Sequence, residues 1–354
     1  MPRVVLYAEV PGFYASVERA AAPELATRPV IVGGDPRKRG LVQAATPDAL
    51  AAGVRPEMPM LEALQLCPPA RAVRTNMARY REASRRLNAC LRHEVEKLEA
   101  AGLGAVYADV SGLTAGPVAI AQAWVSRVKD ELGLSLRVGI ARTKQLARLA
   151  AEEAGEGVRR VAPGEEADFL RPLPVTRLEG VGQKTASLLA EHGAHTIGAV
   201  AALGRERLET LFGTHGLRIH ASATGLDDPP VRAARHPLSL SREATLTGEP
   251  FDREALVDHL HQLARQLEAE LRVQGLGARR VTLKIRYAEL GTTTRSQILA
   301  TPLASAAEIH AVAQHLLGRA QATVRPIRGL GIQLAKLVPQ READRQLDLF
   351  PPRR

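Results

Sequence analysis

A single acid, Glu9, stands near the end of the apolar run Val4-Val5-Leu6-Tyr7-Ala8-Glu9-Val10. A second run, Leu103-Gly104-Ala105-Val106-Tyr107-Ala108-Asp109-Val110, carries its acid at the far end. Carboxylates gathered on strands can hold divalent cations for phosphoryl transfer, which needs hard oxygen ligands on two ions roughly 3.5–4 Å apart. Gly104 and Ala105 supply no such ligand, and Asp109 lies four residues past Ala105, about 13 Å along an extended strand. That is too far to serve the same ion. One carboxylate from Glu9, helped by a backbone carbonyl, could hold a weak and mostly hydrated magnesium; the alternative is a strand-end acid facing solvent.

A second constellation suits anion binding. In Leu178-Glu179-Gly180-Val181-Gly182-Gln183-Lys184-Thr185 the two glycines let backbone approach a phosphate closely, and the N–H groups opening the next helix, predicted over Ala186–His192, face the anion. Lys184 adds a point charge, and this pattern favours DNA over a purely structural turn. His192 and His195 have no third metal ligand in view and either pack or face solvent.

The elements that must position these residues fall into regions. From Met1 to about Glu165, apolar strands predicted at Val4–Val10, Pro29–Gly33, Val106–Val110 and Leu136–Ile140 alternate with helices, an α/β pattern. The period predicts a helix over Met77–Leu98 with a solvated basic face of Arg79, Arg81, Arg85, Arg86 and Arg92. Gly33–Gly40 reads as a turn followed by a basic loop, and Asp227-Asp228-Pro229-Pro230 marks a linker. From Ser239 to Val338 strands and two helices alternate. In Val281–Tyr287 the residues Val281, Leu283, Ile285 and Tyr287 fall on one face, and Thr282, Lys284 and Arg286 on the other. Arg242, Arg295 and their Ser/Thr neighbours add donors suited to phosphate.

Composition narrows the function classes. A net charge of +10 over 354 residues favours a polyanionic partner, although abundant alanine and arginine also suit a GC-rich genome. Aromatics at 3% argue against a binder built on stacked bases and leave backbone contact as the mode. Cys67 and Cys90 are too few for a zinc site or a disulfide framework, no apolar run reaches a membrane span, and no signal-peptide pattern opens the chain. The expected location is the cytoplasm.

Both apolar runs resemble the metal-binding strands of Y-family translesion DNA polymerases of the DinB type, where Asp-x-Asp precedes Phe-Phe-Ala-Ser-Val-Glu and the second strand reads Ser-x-Asp-Glu-Ala-Tyr-x-Asp-Val. Matching Phe13-Tyr14-Ala15-Ser16-Val17-Glu18 and Tyr107-Ala108-Asp109-Val110 places Glu9 and Pro11 at the two aspartates, and Gly104 and Ala105 at the Asp-Glu pair. Val42–Pro59 resembles the fingers motif Ser-x-x-Tyr-x-x-Arg-x-x-Gly-Val-Arg-x-x-Met-Pro, with Pro47 and Leu50 at the phosphate-touching tyrosine and arginine. A phosphate-gripping lysine, expected after a helix start at Gly139-Ile140-Ala141, aligns with Gly155. Tyr14 matches the residue that screens the sugar 2′-hydroxyl; the alternative is an aromatic packed in the fold.

The resemblance implies an α/β multidomain, right-hand architecture. Palm and fingers would occupy 1–165 (fingers about 11–75), a helix-hairpin-helix thumb 166–230, an α+β little finger 231–338 and a flexible tail 339–354. Gln346-Leu347-Asp348-Leu349-Phe350 in that tail matches the bacterial sliding-clamp pentapeptide Gln-Leu-x-Leu-Phe, whose apolar residues fill a pocket on the clamp. Primer-template DNA would be held through Gly180, Gly182, Lys184, Thr185, Arg242, Lys284, Arg286 and Arg295. With ligands missing at Pro11, Gly104, Ala105, Pro47 and Leu50, the expected role is a catalytically inactive adaptor without a cofactor in translesion synthesis. It would resemble the ImuB-type partner of bacterial mutasomes, leaving synthesis to a partner polymerase. The alternatives are an error-prone polymerase using magnesium at Glu9, or a protein-interaction module.

Overall fold

The computed structural model describes residues 3–227, 229–232, 237–246, 253–287, 291–320 and 327–340. The chain divides into two compact units, Met1–Ala234 and Arg235–Arg354.

The first unit opens with β1 (Val5–Glu9), α1 (Phe13–Ala21), β2 (Val30–Gly33), β3 (Val42–Ala45), α2 (Pro47–Ala51), α3 (Met60–Leu66) and β4 (Arg71–Arg74). It continues through α4 (Met77–Leu91), β5 (Leu98–Gly102), β6 (Ala105–Asp109), α5 (Pro117–Leu132), β7 (Arg137–Ala141), α6 (Lys144–Glu152) and β8 (Gly157–Arg160). Five helices follow: α7 (Glu166–Leu170), α8 (Gln183–Glu191), α9 (Ile197–Leu203), α10 (Arg205–Phe212) and α11 (Thr214–Ala223). A five-stranded sheet of order β5-β6-β1-β7-β8 puts β1 in the middle, antiparallel to both neighbours. Leu6 and Ala8 join the core under α4 and α5, whereas Val5 and Tyr7 pack with Leu146 and Leu149 of α6. Burial on both faces explains why β1 is apolar without alternation. At Gly139 the α6 backbone comes so close that a Cβ would lie 1.8 Å from the Ala147 carbonyl oxygen. A smaller sheet, β3-β2-β4, carries its own core around Ile31, Val42, Ala49, Val54 and Met60.

Three sequence expectations are corrected here. The helix predicted to Leu98 ends at Leu91, and Leu98 instead opens β5 opposite Ala108. Val95 and Leu98 stay buried in the same core, so their apolar character serves the sheet rather than a longer helix. Leu103 and Gly104 form the turn between β5 and β6 instead of starting a strand. Gly139-Ile140-Ala141 lies within β7, and α6 begins at Lys144, where the Thr143 hydroxyl accepts from the Leu146 N–H at 3.3 Å.

The second unit comprises β9 (Ser239–Thr245), α12 (Arg253–Gln274), β10 (Leu276–Tyr287), β11 (Thr292–Leu303), α13 (Ala306–Arg319) and β12 (Ile327–Pro339). Its antiparallel sheet has the order β11-β10-β12-β9. Val281, Leu283 and Ile285 of β10 and Leu330, Ile332 and Leu334 of β12 pack with the apolar sides of α12 and α13. The other sheet face is polar, as the period-two pattern predicts. Among the described residues no helix is long and apolar enough to cross a membrane.

Candidate functional site

Glu9 ends the central strand directly across from Ala105 on one side and Arg137 on the other. Arg137 grips its Oε1, with Nε at 3.0 Å and Nη2 also in contact, and the Tyr7 hydroxyl donates to Oε2. Both side chains are mostly buried, Arg137 at 22% and Glu9 at 18% exposure. Burial and the nearby Glu9 charge push the Tyr7 hydroxyl well above the ordinary tyrosine range, so it stays a donor. The carboxylate is thus engaged by a guanidinium and a phenol. Sequence inspection missed Arg137; the available signal was a lone basic residue within the otherwise apolar run Leu136–Ile140.

The space around Glu9 is filled in a second way. A Cβ on Gly104 would lie 2.5 Å from Cγ of Phe13, so the phenyl ring occupies the volume a side chain there would need. The Gly104 carbonyl accepts from the Val10 N–H at 2.9 Å. Asp109 sits at the opposite end of the hairpin, level with Val5 and 3.5 Å from Arg3. Among the described residues no group of three or more His, Cys, Asp or Glu converges. The magnesium pair implied by the resemblance does not fit this residue set, because among the described residues no three such ligands gather at Glu9, and its carboxylate is already ion-paired.

Pro11, Pro47, Leu50 and Gly155, distant in sequence, line one cleft of about 980 Å³ together with Arg19 and Arg137. The tertiary structure therefore brings together four positions at which the sequence departs from the phosphate- and metal-binding pattern. Arg19 contacts Asp48 at 3.4 Å, and Leu50 packs on the core of the small sheet. Tyr14, half-buried, stacks on the fully buried Tyr80, with ring centroids 4.4 Å apart and planes 10° from parallel.

The glycine hairpin is exposed. Gly180 adopts φ +84°, a left-handed conformation that favours glycine, while Gly182 is extended and opens α8 with no atom within 4 Å of a Cβ position. Leu178 and Val181 anchor the turn in the core, which leaves Lys184 at the surface and Thr185 half-buried in the first turn of α8. The helix starts three residues earlier than expected and is preceded by a single 3-10 turn, Val175–Arg177. His195 is exposed and His192 half-buried.

In the second unit, strand register separates residues that the sequence grouped together. Lys284 and Arg286 lie on the open sheet face. Arg242 pairs in register with the buried Ile332 and reaches Glu270 of α12 at 2.6 Å, so it belongs to the helix side. Arg295 is level with Leu283 and also falls on the helix side, exposed at the edge strand. The pentapeptide Gln346–Phe350 lies outside the described residues.

Comparison with known proteins gives two family matches: the impB/mucB/samB family over residues 9–152, and the C-terminal domain of that family over residues 237–349. DNA polymerase IV of Dehalococcoides mccartyi is 34% identical across 99% of this chain and 90% of its own length. The same enzyme of Halorhodospira halophila is 34% identical across 98% of both chains. The chain belongs to the Y family of DNA polymerases, of the DinB/polymerase IV type. Its fold agrees: a Y-family chimera of Dbh and Dpo4 superimposes with a TM-score of 0.82 at 24% identity, covering 95% of this chain and 99% of that one. DinB from Sulfolobus solfataricus gives 0.68 at 24% identity, over 94% of this chain and 98% of that one. In this Y-family chain a fixed guanidinium balances the strand-end acid.

Proposed function

We propose that this chain is a non-catalytic Y-family protein that binds primer-template DNA and the bacterial sliding clamp, and serves in the cytoplasm as an adaptor for lesion bypass. Residues 1–165 then act as palm and fingers, 166–230 as a helix-hairpin-helix thumb, 231–338 as little finger and 339–354 as the clamp-binding tail. A partner polymerase carries out synthesis. The observation that carries the inactive role is the closure of Glu9 by Arg137 and Tyr7 beside a Gly104 already covered by Phe13. Net charge of +10, the exposed glycine hairpin with Lys184, and Lys284 and Arg286 on an open sheet support DNA binding through the phosphate backbone.

Deoxynucleotide triphosphates with magnesium are expected to leave the melting temperature unchanged, because a ligand that does not bind the folded state cannot stabilise it. A magnesium-dependent upward shift would instead support an active, error-prone polymerase working from Glu9, which the polymerase IV names of 34%-identical relatives favour. Deletion of Gln346–Phe350 is expected to abolish co-elution with a bacterial sliding clamp on size exclusion. Undiminished co-elution of the truncated chain would remove the clamp from this proposal.

A further inference from the structure

The open face of the β11-β10-β12-β9 sheet has a regular cross-strand pattern. Register aligns Ser241, Gln333, Thr282 and Ser296 in one row, Glu243, Gly331, Lys284 and Thr294 in the next, and Thr245, Gly329, Arg286 and Thr292 in a third. Glu243 is the acid among these rows. Although β12 separates its strand from that of Lys284, its Oε1 lies 2.8 Å from the Lys284 Nζ, and its Oε2 lies 3.8 Å from Arg286. A span of two strand spacings is about 9.5 Å, so both side chains must lie flat across the strand between them.

The intervening strand is built for that crossing. A Cβ on Gly331 would fall 2.6 Å from Cγ of Glu243, and one on Gly329 would fall 2.9 Å from Nη2 of Arg286. Neither glycine has a positive φ, so space rather than backbone conformation calls for glycine: the Glu243 side chain fills it at Gly331, and Arg286 together with the Ala244 carbonyl oxygen, also at 2.9 Å, at Gly329. The arrangement leaves a donor unmet: Nε of Arg286 is buried without a hydrogen-bond partner. Two cations, a row of hydroxyls and an unmet N–H surround one carboxylate that remains 39% exposed.

We propose that Glu243 is a resident anion seated in a backbone-phosphate site formed by Lys284, Arg286 and the flanking Thr282 and Thr294, and that a nucleic-acid phosphate must displace it. The proposal rests on the DNA-binding function above. Glu243 then sets an affinity ceiling: it holds the two bases in place when DNA is absent and competes when DNA arrives. The two non-bridging oxygens of a phosphodiester can replace the two carboxylate oxygens on Lys284 and Arg286, and one of them can accept from the unmet Arg286 donor.

The test uses the full chain and a labelled primer-template duplex, followed by fluorescence anisotropy across a salt series. Glu243→Gln keeps the shape of the side chain and removes its charge. It is expected to tighten binding about three- to tenfold near 0.1 M salt, and to steepen the slope of log K against log salt by about 0.9 if one phosphate contact is gained. Lys284→Gln is expected to weaken the Glu243→Gln protein more than it weakens the parent, since the resident acid masks Lys284 in the parent. Glu254→Gln, exposed on α12 at the other side of the sheet, controls for net charge and is expected to change affinity less than twofold, about the size of a remote charge effect. Equal affinities for the parent and Glu243→Gln, or an equal gain from Glu254→Gln, would overturn this proposal and leave DNA binding intact. No measurable binding by either protein would overturn both.

Discussion

Primer extension on an undamaged template, with magnesium or manganese, is expected to give no template-dependent product above a protein-free control. A two-metal site supplies several kcal/mol of transition-state stabilisation, and each 1.4 kcal/mol is about tenfold in rate. Here the acid that remains, Glu9, is neutralised by Arg137, and the cleft beside it is lined by Pro11, Pro47, Leu50 and Gly155 where the family pattern places ligands. Reintroducing an acid does not simply restore the site. Gly104→Asp brings a Cβ within 2.5 Å of the ring of Phe13, a core residue only 8% exposed, so the ring must move. That overpacking is expected to cost about 1–3 kcal/mol. The Pro11→Asp, Gly104→Asp double variant is therefore expected to melt lower and still not polymerise. Incorporation by the parent chain that disappears in Glu9→Ala would refute the inactive role.

The second large effect is on stability. Glu9→Ala removes the counter-charge of a mostly buried arginine and the acceptor of the Tyr7 hydroxyl, and denaturant unfolding should show a loss of about 2–3 kcal/mol. The figure sits below that of a fully buried pair because about a fifth of each side chain still meets solvent. Arg137→Met is expected to cost less than Glu9→Ala, since the carboxylate keeps the Tyr7 hydroxyl as a donor. In the double variant the losses should fall short of their sum, with the coupling between Glu9 and Arg137 as the difference. Strictly additive losses would show that the pair contributes nothing as a pair. A metal-binding Glu9 makes the opposite prediction, because removing a competing guanidinium would then expose a manganese-dependent rise in melting temperature in Arg137→Met.

Much of the fold was legible along the chain because its information is local. The alternation of Val281, Leu283 and Ile285 with Thr282, Lys284 and Arg286 has a period of two, and the structure buries the first set and leaves the second on the open face. Apolar β1 and β7 were evident as strand-length runs whose charged residues, Glu9 and Arg137, stand at their ends. The helix over Met77 was evident in type but not in length, since Val95 and Leu98 continue a helical period while serving a sheet.

Sequence alone determined which residue types could do chemistry here: one acid near the end of the first apolar run, glycine and alanine where the family resemblance places a second pair of acids, and a basic chain with a glycine-rich Gly-Val-Gly turn. Only the tertiary structure decided that Glu9 is held by Arg137, 128 positions away, because cross-strand partners follow from sheet order and register rather than from spacing. It also decided that Arg242 and Arg295 leave the face carrying Lys284 and Arg286. A one-residue change in register moves a side chain to the other side of a sheet, and nothing within a single strand encodes how its neighbour aligns.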